Sequence, residues 1–206
     1  MTNDLVRAGI LNKERLVLFS DAVVAIAITL LALELPVPEG ATNAEVLRAF
    51  GEHWHEYLAF LISFAVIATH WNVHHRLFAH VTALGGRLGL WNLLWLFSII
   101  VTPFATRVLT ADEAFTVPFV FYALVQVLAG CCLLLMQREI RRHGLRPKGP
   151  DLAAAQDGYA RSLAFVGCFV LSIPVAFLTR WAYICWALMP VVSIVVRLVR
   201  RRRASV

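Results

Sequence analysis

The sequence predicts an all-α, polytopic membrane protein with six transmembrane helices, organised as a single domain over residues 1–206. Of the 206 residues, 60% are hydrophobic and only 16% are charged. Soluble domains carry about 45–50% apolar and about 25% charged residues. The mean hydropathy is +0.72, and the apolar residues fall into long blocks. Blocks of about 20 residues suit a hydrocarbon core of ~30 Å.

Six apolar blocks, taken in chain order, supply the predicted transmembrane segments. Each is about 20–25 residues long, which suits one crossing as a helix. Prolines lie within or near several blocks, and membrane helices tolerate proline at the cost of a kink. The predicted spans are residues 14–35, 55–79, 88–108, 115–139, 159–178 and 181–199.

The first block contains Asp21 and has no small-residue cleavage site after it, which argues against a cleaved signal peptide.

The segments between the blocks define how the chain turns at the membrane surface. Residues 36–54 carry three glutamates, which can concentrate cations at a channel mouth, but an ordinary solvated loop is the favoured interpretation. Only the region around Thr179 and Arg180 separates the last two blocks, which predicts a tight helical hairpin.

Lysine and arginine residues are distributed very unevenly between the two sides of this bundle. With the N-terminus inside, only Arg48, Arg107 and Arg180 lie outside, and the other 16 of the 19 basic residues lie inside. The positive-inside rule therefore predicts a cytoplasmic N-terminus, and six spans return the C-terminus to the same side. Topology thus explains the net charge of +6. The expected location is the cell (inner or plasma) membrane, with lipid and not nucleic acid as a partner.

The first span carries an aspartate and an apolar stripe on different faces. The stripe is made of Ile26, Leu30 and Leu33, continued by Ala22 and flanked by Thr29. The first three fall within about 60° of one another, and Asp21 points about 140° away from Ile26. If the stripe faces lipid, Asp21 faces the bundle interior. If it faces a symmetry axis, several copies form stacked apolar rings that can gate an ion path by dewetting. Geometry leaves both arrangements open.

The second span ends in polar residues at the depth of Asp21. Asp21 lies about six residues from the basic end of its helix, and His70 lies about six residues from the basic end of the second, so both are about 9 Å deep. We therefore expect Asp21, with Ser20, to pair with His70, Asn72 or His74.

Three interpretations of this polar cluster compete. The favoured one is a structural hydrogen-bond network that holds the first two spans together. A proton-sensing or proton-relay site is the second, because histidine titrates near neutral pH. A metal site is the least favoured, because no further histidine or cysteine cluster lies at this depth and no HExxH motif is present.

Three motifs connect these residues to a known family. They are Arg15-x-x-x-Phe19-Ser20-Asp21 followed by Ala25-Ile26-Ala-Ile-Thr29-Leu30-Leu31, then Trp71-x-x-His74-His75-Arg76, and Trp91-Asn92-Leu93-Leu94 leading to Thr102-Pro103-Phe104. The sequence resembles the transmembrane protein 175 family of potassium channels in its bacterial form. The resemblance covers the whole chain, including the number of helices and the inside N-terminus.

This resemblance implies a homotetramer whose first helices line a pore for potassium ions, with no cofactor and without the usual Thr-Val-Gly-Tyr-Gly filter. Eukaryotic members carry two six-helix repeats and this chain has one, so four copies are expected. Carried over by position, the pore constriction would be Ile26, Leu30 and Leu33, and further pore-lining residues would be Ala22 and Thr29. The implied assembly network comprises Arg15, Phe19, Ser20, Asp21, His70, Trp71, Asn72 and His74.

The sequence contains no nucleophile elbow, no phosphate-binding glycine loop and no paired carboxylates in a plausible cleft. We therefore expect no enzyme activity and no bound metal. The main hypothesis is a potassium-permeable cation channel with an apolar gate or filter. The alternative is a proton-coupled secondary transporter that uses Asp21 and the histidines of the second span. A membrane enzyme or metal-binding protein built on the same cluster is the third hypothesis.

Overall fold

The computed structural model of the chain describes residues 2–79, 81–82, 84–111, 114–145, 152–179, 182–183 and 186. Within these residues it contains six α-helices and no β-strand, so the predicted all-α class is confirmed. The helices are α1 (Thr2–Leu33), α2 (Asn43–Glu52), α3 (Trp54–Ala79), α4 (Leu88–Thr110), α5 (Thr116–Arg142) and α6 (Leu152–Ala176).

Five of these helices are long and apolar enough to cross a membrane, and they coincide with the first five predicted spans. The candidate spans are Asn12–Leu33, Trp54–Ala79, Leu88–Thr110, Thr116–Arg142 and Gly158–Ala176. The sixth predicted span, 181–199, lies outside the described residues apart from Ala182, Tyr183 and Trp186.

Two helices extend well beyond their apolar blocks. α1 begins at Thr2 and α6 at Leu152, whereas the predicted spans begin at 14 and 159. Apolar periodicity marks only the part of a helix that lies in hydrocarbon. A polar extension can continue the same backbone hydrogen bonding into water without any hydropathy signal.

The loop predicted at 36–54 contains the short helix α2. The Thr42 hydroxyl accepts a hydrogen bond from the Glu45 amide at 3.3 Å, and Glu45 Oε2 accepts one from the Thr42 amide at 3.2 Å. This reciprocal capping box satisfies donors at the start of a helix. The Thr-x-x-Glu spacing is visible in the sequence, so the helix could have been predicted.

α4 and α5 form the centre of the bundle, and α1 lies at its edge. α4 packs on α5, α6 packs on α5, and α1 packs on α3 and α4. Of the spanning window of α1, 22% of residues are buried, compared with 50% for α4 and 56% for α5. The described residues of a single chain therefore cover only one side of α1.

A buried aromatic cluster joins α5, α6 and the chain beyond α6. Trp186 stacks on Phe119 with ring centroids 4.1 Å apart, and its Nε1 donates to Ser172 Oγ at 2.9 Å. Phe169 packs beside the same indole. The chain after α6 thus turns back onto α5 and α6, as a helical hairpin requires.

Candidate functional site

The buried face of α1 follows a regular helical spacing. Ser20, Val24, Ala27 and Leu31 are each at most 3% exposed, and their separations of four, three and four residues place them on one side of the helix. This face packs into the core formed with α3 and α4. Two of these side chains, Ser20 and Ala27, are small, which lets the neighbouring helices approach α1 closely.

The opposite face of α1 carries the predicted stripe, and all of it is exposed in the single chain. Ile26 is 57% exposed, Leu30 47% and Leu33 80%, and Ala22 and Thr29 are also exposed. Thr29 Oγ1 donates to the Ile26 carbonyl at 2.8 Å. The hydroxyl is therefore occupied by its own helix, and the face presents apolar groups to whatever covers it.

Asp21 is hydrogen-bonded to the second predicted span, but its partner is not one of the three residues predicted for it. Trp71 Nε1 donates to Asp21 Oδ1 at 2.9 Å. We expected His70, Asn72 or His74 in this role. An indole N–H can only donate and a carboxylate can only accept, so this pair needs no proton exchange and fits the structural interpretation of the cluster.

Ser20 and His74 are joined through a residue of α4. Asn92 Nδ2 donates to Ser20 Oγ at 3.0 Å, and His74 Nε2 donates to Asn92 Oδ1 at 2.7 Å. The Ser20 hydroxyl in turn donates to the Leu16 carbonyl at 2.8 Å. The His74 ring stacks on Trp95 with centroids 4.2 Å apart and planes 5° apart. One buried chain of hydrogen bonds thus ties α1, α3 and α4 together.

The other members of the predicted network occupy different surroundings. His70 is buried and makes an edge contact with Phe165 of α6, with ring centroids 4.5 Å apart. Arg15, Phe19 and Asn72 lie exposed on the surface of the single chain. The network within one chain therefore comprises Ser20, Asp21, Trp71, His74 and the additional residue Asn92.

A second polar cluster, which is not among the residues predicted from the sequence, lies between α3, α4 and α5. Ser63 Oγ is 3.0 Å from the Tyr122 hydroxyl and 2.8 Å from Thr106 Oγ1. Gln126 Nε2 donates to Thr102 Oγ1 at 3.3 Å. Thr102 and Thr106 are four residues apart in an apolar helix, and this i, i+4 spacing of hydroxyls was the available signal.

An ion pair joins two helix ends at the opposite end of the bundle. Arg107 of α4 and Glu34, just after α1, approach to 3.0 Å. Both side chains are more than 40% exposed, so the pair contributes little to stability by itself. Among the described residues, no three histidine, cysteine, aspartate or glutamate side chains gather as a metal ion requires.

Comparisons with known proteins assign the family. The family model described as endosomal/lysosomal potassium channel TMEM175 matches residues 15–103, which include the stripe of α1 and both partners of Asn92. A protein from Chryseobacterium sp. (strain P1-3), named as a potassium channel, is 33% identical over 133 residues, which are 64% of this chain and 67% of that protein. The matches to other bacterial relatives cover 63% of the protein from Streptomyces collinus and 48% of the protein from Chamaesiphon minutus, both named as potassium channels.

A solved structure and a vertebrate protein are similar as well. The crystal structure titled as a lysosomal potassium-selective channel TMEM175 homolog from Chamaesiphon minutus has a TM-score of 0.73 and 26% identity, covering 89% of this chain and 97% of that chain. The zebrafish (Danio rerio) endosomal/lysosomal proton channel TMEM175 is 40% identical over 90 residues, which are 40% of this chain and 17% of that protein.

These matches confirm the resemblance and the location predicted from the motifs and apolar blocks. The relatives are named as channels, in agreement with the prediction that the chain is not an enzyme. The relatives named as potassium channels are bacterial, and the five spanning helices make this a multi-pass protein of the cell membrane. The chain belongs to the TMEM175 family.

Proposed function

We propose that the protein is a potassium-permeable cation channel, assembled as a homotetramer in which α1 of each subunit lines the pore. The observation that carries this proposal is the division of α1 into two faces. Ser20, Val24, Ala27 and Leu31 are buried on α3 and α4, and the stripe of Ile26, Leu30 and Leu33 is left uncovered. Four such stripes around an axis make apolar rings. The names of the bacterial relatives support potassium as the permeant ion.

The apolar rings would form the barrier to conduction. A narrow ring of isoleucine or leucine side chains offers no hydrogen bonds to water, so it closes the path when it dewets. Thr29 does not relieve this barrier in the present geometry, because its hydroxyl is bonded to the Ile26 carbonyl. The rings also provide no cage of oxygens for a dehydrated ion, so we expect modest selectivity for potassium over sodium.

The hydrogen-bond network around Ser20 and Asp21 would hold α1 at the correct distance from the axis. Asp21 is bonded to Trp71 on α3, and Ser20 is bonded to Asn92 on α4. Arg15, Phe19 and Asn72 are exposed in the single chain, so in the tetramer they are available for contacts with a neighbouring subunit. No cofactor is part of this proposal.

Currents through purified, reconstituted protein test the proposal. Planar bilayers with potassium on one side and sodium on the other should give discrete single-channel events and a reversal potential displaced toward that of potassium. Leu30→Ala should raise the conductance or the open probability several-fold, because the smaller side chain widens the ring and lowers the cost of keeping it wet.

A matched substitution separates the pore from the rest of the surface. Leu93 is an exposed leucine of α4, 60% accessible, and Leu93→Ala should leave the conductance unchanged. Equal currents in Leu30→Ala and the unaltered protein would disprove the assignment of the constriction. Absence of any channel event from correctly assembled protein would disprove the function itself.

Proton transport is the second candidate, and the vertebrate relatives named as proton channels favour it. In the alternative, Asp21 and the histidines of α3 carry the proton. Vesicles holding a pH-sensitive dye should then acidify when an inward proton gradient is applied, and Asp21→Asn should abolish the change while potassium currents persist. Proton flux that survives Asp21→Asn would remove Asp21 from the path.

A further inference from the structure

α2 has one apolar face and one polar face over its ten residues. At 100° per residue, Val46, Leu47 and Phe50 lie within an arc of about 100°, and Glu45, Arg48 and Glu52 lie within about 60° on the other side. The two arcs are centred nearly opposite each other. This pattern normally belongs to a helix whose apolar face is covered.

The described part of the chain does not cover this face. No residue of α2 is buried, and α2 has only a light contact, with α3. Leu47 is 71% exposed and Phe50 46%. The Phe50 ring lies 5.5 Å from that of Tyr57, in a tilted arrangement, which leaves the rest of the face open.

The position of α2 in the chain fixes its level relative to the membrane. Only His53 separates the end of α2 from Trp54, the first residue of the spanning helix α3. The Tyr57 hydroxyl donates to the Pro36 carbonyl at 2.9 Å, so both ends of the 36–54 segment are held at the start of α3. The exposed ion pair of Arg107 with Glu34 occupies the same end of the bundle.

The apolar surface continues from α2 onto the spanning helix. Trp54, Leu58 and Leu61 follow an i, i+4, i+7 spacing along α3 and are 54%, 42% and 58% exposed. Tryptophan is enriched where hydrocarbon meets the headgroups. Leu47 and Phe50 therefore adjoin, through Trp54, a strip of α3 with the composition of a surface that faces lipid.

We propose that α2 is an interfacial helix, which lies in the headgroup region with Val46, Leu47 and Phe50 inserted toward the acyl chains. A bilayer suits this face because α2 begins and ends at the membrane surface and presents Glu45, Arg48 and Glu52 to water. An isolated helix of ten residues is marginal in water, whereas burial of an apolar face about 5–10 Å into the interface stabilises it. The proposal does not depend on the conducted ion.

Spin labels on the two faces test the proposal. With the four native cysteines replaced by serine, a nitroxide is attached to Leu47→Cys or, as the matched control, to the adjacent Arg48→Cys. The full-length protein is reconstituted in phosphatidylcholine vesicles. The label at 47 should collide often with oxygen, which concentrates in lipid, and rarely with a water-soluble nickel chelate. The label at 48 should show the reverse.

Two outcomes would overturn the proposal. A label at 47 that is as accessible to the nickel chelate as the label at 48 would place α2 in water. A label at 47 that is shielded from both oxygen and nickel would mean that protein, such as a second copy of the chain, covers this face.

A second measurement does not require removal of the native cysteines. In vesicles, a membrane-impermeant maleimide should modify Arg48→Cys about tenfold faster than Leu47→Cys, because insertion limits access to the thiol. Equal rates would contradict the proposal. Unaltered protein, whose described cysteines lie within α5 and α6, gives the background rate.

Discussion

Asn92 connects three helices through a single carboxamide group. Its amide nitrogen donates to Ser20 on α1, and its oxygen accepts from His74 on α3, while its own backbone belongs to α4. All three side chains are at most 3% exposed. Buried polar groups are costly when they lose a partner. Asn92 therefore helps to fix the position of α1 from the buried face, opposite the stripe.

Replacement of Asn92 by leucine should destabilise the protein markedly. The substitution keeps a similar size but leaves Ser20 without its donor and His74 without its acceptor, and each unsatisfied buried group costs about 1–3 kcal/mol. Thermal unfolding in detergent, followed by the loss of the monodisperse peak in size-exclusion chromatography, should show a clearly lower midpoint for Asn92→Leu.

Thr69→Val is the control, because Thr69 is exposed on α3 and its hydroxyl donates to the Ala65 carbonyl of its own helix, and its midpoint should stay within error of the unaltered protein. If Asn92→Leu unfolds at the same temperature as Thr69→Val, the network does not stabilise the fold.

The sequence predicted which region of α1 and α3 is polar, but not the pairing within it. The depth estimate brought Asp21 to the level of His70 and His74 correctly, since the observed partner, Trp71, lies between them. Depth gives no information on rotation about the helix axis. That rotation depends on packing against α4, which supplies Asn92. The contribution of a third helix cannot be read from the periodicity of the other two.

At the level of helices, α5 and α6 meet at a glycine. A Cβ atom added at Gly130 would stand 2.5 Å from Val166 Cγ2, closer than nonbonded carbon atoms pack. Small residues let membrane helices approach until their backbones nearly touch. The close packing of α5 on α6 thus depends on a missing side chain.

Gly130→Ala should therefore weaken the packing of α6 on α5, even though alanine favours a helix by about 1 kcal/mol over glycine. The clash requires Val166, a β-branched residue with restricted rotamers, to move. We expect a lower unfolding midpoint for Gly130→Ala and recovery in the double variant Gly130→Ala, Val166→Ala.

Gly167→Ala is the control for this change, because a Cβ at Gly167 meets nothing within 4 Å. It should leave the midpoint unchanged or raise it slightly. If Gly130→Ala had the same unfolding midpoint as Gly167→Ala, the added methyl group would not weaken the packing of α6 on α5.

Apolar blocks predicted the spanning helices well, and the polar helical segments poorly. The first five predicted spans coincide with observed helices because burial in hydrocarbon requires a long apolar run. α2 and the starts of α1 and α6 lie outside hydrocarbon, where hydropathy carries no such constraint. For α2 the capping box of Thr42 and Glu45 was a local signal of a different kind.

The whole molecule exposes apolar surface that a lipid bilayer and neighbouring subunits can both cover. Among the described spanning helices, α1 is the least buried, and its main packing partners are α3 and α4. Within one chain, the uncovered stripe on α1 is made of the same kinds of aliphatic side chain as the exposed surface of α6, which includes Leu163, Val170 and Leu171. Whether the stripe of α1 faces a symmetry axis or lipid depends on how the copies are arranged. Neither the sequence nor a single subunit determines that arrangement.

Cross-linking between subunits distinguishes a stripe at the axis from one that faces lipid. A disulfide forms only when two Cα atoms approach within about 7 Å, a separation that neighbouring copies reach only at a narrow ring. In a chain with its native cysteines replaced, Leu30→Cys treated with a mild oxidant in membranes should migrate as a dimer on a non-reducing gel. One cysteine per subunit pairs only once, so higher bands are not expected. Leu171→Cys on α6, 70% exposed, should remain monomeric, because α6 packs on α5 and lies away from the proposed axis. A dimer at Leu171 with a monomer at Leu30 would place α6, and not α1, at the centre of the assembly.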